Sequence, residues 1–174
     1  MRHAIDTAAL TLFSERGYDE VTTDEIAAAA GVSASIYYRH VPTKEDLLLR
    51  PVRASSAAIV ERFAAHTTST PEHDLIEAIR DQAATGADGP SQWREVIAGV
   101  PGILDRITLI ADDDRGRLIE IAAHRLGVDA DDDLRPGVLV VTVLAVVEYA
   151  YRRWMTATDN RSLADYIDAA LAAR

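Results

Sequence analysis

Thr22, Thr23, Ser33, Ser35, Tyr37, Tyr38, Arg39, His40 and Lys44 fall close together in this chain. Hydroxyl, ammonium and guanidinium groups donate to phosphate oxygens, and fewer of them reach base edges. On that chemistry Thr22 or Thr23 grips one phosphate and Lys44 another across a groove, with Tyr38 donating its hydroxyl nearby. Such contacts position a duplex without specifying its sequence. Ser33, Ala34, Ser35 and Tyr37 stand nearest the base edges, and Arg39 is the one long donor able to read guanine. Tyr37 and Tyr38 are adjacent and take different faces of a helix, so Tyr37 is also a core candidate. Lys44 has its own plainer reading as a solvated residue of a capping turn.

Positioning these groups is the task of a short run of helices. Ile5, Ala8, Ala9, Leu12 and Phe13 recur at helical spacing and Gly17 ends the run. Thr22-Thr23-Asp24-Glu25 is a capping box that starts a second helix, carrying Ile26, Ala27 and Ala30 to a stop at Gly31. Ser33 caps a third helix from about Ala34 to His40, and the connection between them allows only a tight corner. Two amphipathic helices joined in this way form a helix-turn-helix, which projects its second helix into a major groove. Pro42 and Thr43-Lys44-Glu45-Asp46 open a fourth helix, in which Pro51 predicts a kink or a restart near Arg50.

Helical patterns resume beyond a polar stretch, with Leu75, Ile76 and Ile79, then Trp93, Val96 and Ile97 past a break at Gly86 to Pro90. One pattern runs from Ile103 to Leu126, open to interruption at Asp112-Asp113-Asp114 and at Gly116. From Val138 to Val147 the chain is apolar on every side except Thr142, so this helix must be covered twice, by its own core and by a partner. A membrane span needs roughly 20 such residues, and Glu148, Arg152 and Arg153 end the run too early. Leu163, Tyr166, Ile167, Ala170 and Leu171 mark a final helix. The last two helices are the expected isologous contact of a homodimer, through Val143, Val147, Trp154, Leu163, Ile167 and Leu171. The expected fold class is all-α with about nine helices.

Composition narrows the function. The net charge is −10, yet through His66 there are seven Lys/Arg against nine Asp/Glu, leaving eleven against nineteen beyond it. The acidity therefore sits mainly away from the candidate DNA-binding groups. The chain has no cysteine, and Met1-Arg2-His3 leads into an amphipathic segment rather than a signal sequence, which fits a cytoplasmic location. No phosphate loop, nucleophile elbow or His-Glu-x-x-His is present, so neither catalysis nor a cofactor is expected. An EF-hand beginning at Asp129 fails, with Leu134 where glycine is needed and Val140 where glutamate is needed, so no metal is expected.

Gly17-Tyr18, Val21-Thr22-Thr23, Ile26-Ala27, Ala30-Gly31-Val32-Ser33, Tyr37-Tyr38-Arg39-His40 and Lys44-Glu45-Asp46-Leu47 together resemble the DNA-binding signature of the tetracycline-repressor (TetR) family. The resemblance covers roughly residues 4 to 48. It implies DNA contacts at Thr23, Ala34, Ser35, Tyr38, His40 and Lys44, and a division into a helix-turn-helix domain, 1–48, and a ligand-binding and dimerisation domain, 49–174. It further implies a transcriptional repressor, a homodimer on a pseudo-palindromic double-stranded operator, released by a small-molecule effector. Trp93, Ile97, Ile107 and Tyr149 are the candidates for lining the effector site. The alternative is a helical ligand-binding or protein-docking module that has lost DNA affinity, as the acidic charge and the short Arg2-His3 arm permit.

Overall fold

Apolar residues at helical spacing throughout the chain leave little option but helix-on-helix packing, and the computed structural model, which describes residues 1–85 and 91–174, has that architecture. Among the described residues there are ten helices and no strand. They are α1 (Arg2–Arg16), α2 (Thr23–Ala29), α3 (Ala34–His40), α4 (Lys44–Ala65), α5 (Pro71–Thr85), α6 (Ser91–Ala98), α7 (Ile103–Arg106), α8 (Asp112–Leu126), α9 (Arg135–Met155) and α10 (Leu163–Ala172). The break expected over Gly86 to Pro90 lies outside the described residues. The chain forms two compact units, Met1–Pro51 with Gly89–Ile107, and Val52–Asp88 with Thr108–Arg174. The first unit thus takes in α6 and α7, which follow residue 48 by a long stretch of chain.

In the first unit Ile5, Ala9 and Phe13 of α1 bury one stripe, and α2 adds Ile26 and Ala27. The stop after α2 is a Schellman motif: Val32 N–H donates to the Ala27 carbonyl at 3.0 Å and Gly31 N–H to Ala28 at 3.1 Å. Gly31 has φ of 68°, which an L side chain would strain, so the corner depends on glycine. Tyr37 and Val41 close the core from the α3 side, with Leu47 and Leu48 of α4 beneath.

Helix α4 runs unbroken through Pro51, so the expected restart at Arg50 is absent. Proline leaves the Leu47 carbonyl without its usual donor. On the neighbouring carbonyl, Leu48, the Trp93 indole N–H donates at 3.1 Å, and burial of Leu47, Leu48 and Val52 holds the turn from its apolar side.

The second unit packs Ile59, Val60 and Phe63 of α4 with α5, α8, α9 and α10 around Leu75, Ile79, Leu118, Val140, Val143, Val147 and Ile167. The long pattern from Ile103 divides after Arg106, giving the one-turn α7 and an additional helix. Asp112, Asp113 and Asp114 begin α8 rather than interrupting it, their charges facing the positive end of the helix dipole. Ala111, at the cap position, has no side chain able to accept, and Ser56 of α4 bridges the Ala111 amide to the Asp114 side chain at the start of the helix. Its hydroxyl accepts the Ala111 N–H at 3.1 Å and donates to the Asp114 carboxylate at 2.5 Å. Asp74 is buried with a charged partner: Arg125 Nη1 lies 3.3 Å from its carboxylate and Arg125 Nη2 donates to the carbonyls of Phe63 and Ala64 at the end of α4.

Candidate nucleic-acid interface

The start of α2 is fixed by its own side chains. Thr22 N–H donates to Glu25 Oε2 at 2.8 Å, Glu25 N–H donates to Thr22 Oγ1 at 3.3 Å, and Arg16 donates to Glu25 Oε1 at 2.7 Å. These donors, the Thr22 amide first and Arg16 next, hold the Glu25 carboxyl down at about 2. Ser33 Oγ accepts from Ile36 N–H at 3.3 Å and opens α3 in the same manner. Both caps use side-chain oxygens that the sequence also offers to phosphate, so Thr22 and Ser33 serve first as structural caps.

The outer side of α3 carries Ala34, Ser35, Tyr38 and Arg39, all exposed, with His40 half-buried at its end. Thr23 Oγ1 and the Tyr38 hydroxyl lie 2.8 Å apart, which brings two of the expected contact residues, one from each helix of the motif, into a single polar pair. Tyr38 is 52% exposed. Tyr37 is at 0%, its ring edge-on to Tyr38 with centroids 5.4 Å apart and its hydroxyl without a partner. Tyr37 is therefore removed from the base-contacting set: it is a core residue, fully enclosed on the inner side of α3, which packs on α2. Burial accordingly pushes its phenol up to about 12.

Lys44 is half-buried and its ammonium is engaged within the unit. It donates to the Tyr18 carbonyl at 2.7 Å and to Val21 at 3.0 Å, and lies 4.2 Å from the centre of the Tyr18 ring. Two of its three N–H groups thus tie the loop before α2 to the start of α4, and one remains.

The expectations for the second half fare differently. Val143, Val147 and Ile167 are core residues of the second unit and are not free to meet a partner; Leu163 and Leu171 pack partly against the same core, and Trp154 is half-buried. The apolar side of α9 that does face outward carries Val138, Val141 and Tyr149, with Leu134 just ahead of the helix. The apolar residues of α9 thus divide between the core of its own unit, where the expected contact residues Val143 and Val147 lie, and the outside. Of the expected effector-site residues, Trp93, Ile97 and Ile107 belong to the first unit, with Ile97 and Ile107 buried, while Tyr149 is an exposed residue of α9. The second unit has an open cleft of 620 Å³ lined by Ala64, Thr67, Glu120, Ile121, His124 and Arg125, none of which the sequence had singled out.

A short helix seated on two others through a glycine corner, with hydroxyls, a phenol and a guanidinium on its outer side, defines the first unit as a helix-turn-helix DNA-binding head. The sequence model of bacterial regulatory proteins of the tetR family matches residues 5–50 and that of the MftR C-terminal domain matches residues 73–173. The chain belongs to the TetR family. It is 31% identical over 166 residues to the HTH-type transcriptional regulator TcmR of Streptomyces glaucescens, which is 87% of this chain and 72% of that protein. Its fold is that of Thermus thermophilus FadR, a TetR-family transcriptional repressor solved in complex with lauroyl-CoA (24% identity, 99% and 92% of the two chains, TM-score 0.57). It is equally that of SmeT, the repressor of the Stenotrophomonas maltophilia multidrug efflux pump SmeDEF (21% identity, 99% and 89%, TM-score 0.62). The chain is a DNA-binding transcriptional regulator, and regulators of this family bind operator DNA and small-molecule effectors and act as dimers. Among the described residues, no helix is long and apolar enough to cross a membrane.

Proposed function

We propose that this chain is a cytoplasmic repressor that holds a pseudo-palindromic operator as a homodimer and leaves it when a small molecule binds the second unit. The observation that carries the DNA half is the exposed Thr23–Tyr38 hydroxyl pair beside Ser35 and Arg39. It supports phosphate contacts from Thr23, Tyr38 and the remaining donor of Lys44, and base contacts from Ala34, Ser35 and Arg39. Two copies of α3 then enter successive major grooves about 34 to 36 Å apart.

The dimer contact is assigned to α9 and α10, led by Leu134, Val138, Val141 and Tyr149. These residues follow one helical face and form an apolar stripe that a lone subunit leaves in water. The effector is assigned to the second unit, where the open cleft is lined by Ala64, Ile121, Glu120, His124 and Arg125. An effector acts only through its differential affinity for the DNA-competent and DNA-incompetent states.

Gel shifts with the DNA upstream of the chain's own coding sequence test the DNA half. A shift that weakens steeply with salt is expected, and no shift at low salt against that DNA or a duplex pool favours the docking-module alternative. Light scattering tests the dimer: Val141→Glu should convert a dimer to a monomer, and a wild-type monomer at micromolar concentration refutes the assignment.

A further inference from the structure

Helix α3 is seven residues long and buries Tyr37 as its one fully enclosed side chain. A helix this short has little stability of its own, so its angle to the rest of the head must be set by what holds its ends. At its start the Ser33 cap and the Gly31 corner do so. At its finish the last carbonyls lack intrahelical donors. There Arg50 of α4 donates through Nη2 to the His40 carbonyl at 3.1 Å, while its Nη1 pairs with the Asp6 carboxylate of α1. The Arg50 and Asp6 side chains are only 27% and 37% exposed, so the pair is set into the head.

We infer that Arg50, oriented by Asp6, is a positioning residue for operator binding: its planar guanidinium clamps the carboxyl end of the recognition helix to α1 and fixes the angle at which Ser35, Tyr38 and Arg39 are presented. The planar fork suits this role because two N–H groups leave it at a fixed angle, one to a helix end and one to a carboxylate. A lysine ammonium in its place pairs with Asp6 or with the carbonyl but cannot impose the same geometry on both.

The role makes a prediction opposite in sign to simple electrostatics. Asp6→Asn removes a negative charge from a DNA-binding head, which by charge alone tightens binding. As part of the clamp, Asp6→Asn instead loosens Arg50 and weakens binding. The experiment measures affinity of the wild type, Asp6→Asn and Arg50→Lys for the duplex that the wild-type protein enriches from a random-sequence pool, across a salt series, together with amide hydrogen exchange of residues 34–41. Each variant should lose about tenfold in affinity, the size of one charge-assisted hydrogen bond, with the salt slope unchanged and faster exchange in α3. Tighter or unchanged binding by Asp6→Asn overturns the proposal. So does a slope lowered by about one unit per subunit in a third variant, Arg50→Gln, with α3 exchange unaltered, which makes Arg50 a phosphate contact. Loss of helix content across the whole protein in both variants also overturns it, because the tie is then general. If the wild type enriches no duplex, operator binding itself fails, and the exchange rates still decide whether the clamp holds α3.

Discussion

Replacing Lys44 with methionine separates the internal tie seen in the structure from the phosphate contact proposed for the same ammonium. Methionine keeps an apolar stem against the Tyr18 ring and removes the charge, together with the hydrogen bonds to the Tyr18 and Val21 carbonyls at 2.7 and 3.0 Å. Hydrogen bonds to charged groups contribute about 1.5–3 kcal/mol each, and for a half-buried lysine the pair is worth about 2–3 kcal/mol together. For a chain of this size that lowers the melting temperature by about 4–12 °C. On the proposed reading the remaining N–H and the charge act on DNA. Removing one phosphate-neutralising cation lowers the slope of log K against log salt by about 0.9, so a dimer with one Lys44 per half-site drops by about 1.8. Over a fourfold rise in salt the wild type should then lose about twelvefold more affinity than the variant. Calorimetry and fluorescence anisotropy on a labelled duplex read the two effects separately. A lower melting temperature with an unchanged salt slope removes Lys44 from the phosphate interface and leaves it an internal strut; a lower slope with unchanged melting shows that the two carbonyl hydrogen bonds contribute nothing.

Tyr37→Phe deletes a buried hydroxyl that has no partner, so stability should stay the same or rise by up to about 1 kcal/mol, with operator affinity unaltered. Urea unfolding checks this, and a loss of more than about 1 kcal/mol means that the hydroxyl has a partner in solution. Glu25 is held at about 2 in the folded head, below the usual carboxylate range, so its contribution is complete above about pH 4.5 and declines as pH falls towards 2. Glu25→Gln should therefore flatten the fall in melting temperature over that acid window, and a fall as steep as the wild type's argues against the capping role. Asp74→Ala leaves Arg125 without its carboxylate in a buried setting and should cost about 3 kcal/mol, read by urea unfolding. The double change Asp74→Leu with Arg125→Met should recover much of that loss; equal damage from both would show that packing, rather than the stranded charge, sets the cost.

Local signals made much of the head legible. Thr22-Thr23-Asp24-Glu25, Ser33 and Gly31 act through bonds to near neighbours in the chain, so a capping box, a hydroxyl cap and a glycine corner can be read directly and are present in the fold as side-chain and backbone hydrogen bonds. The helical character of the second half was equally plain from periodicity. Pro51 shows where a local rule yields: its penalty is real, but Leu47, Leu48 and Val52 bury the turn and Trp93 bonds to Leu48, and neither is visible from proline and its neighbours alone.

What the sequence by itself determined is therefore the all-helical class, the caps at Thr22 and Ser33, and the motif of residues 22 to 44, because these depend on interactions within a turn or two of chain. Tertiary structure decided the rest. It assigned Val143, Val147 and Ile167 to the core and Leu134, Val138, Val141 and Tyr149 to the outside, since a helix apolar all round gives no sign of which side its own subunit covers. It also joined Arg50 to Asp6 and His40, Trp93 to Leu48, and Ser56 to Ala111 and Asp114. Those partners lie on different helices, and a long side chain's choice among distant carbonyls and carboxylates is settled by how the helices pack, which no local pattern encodes.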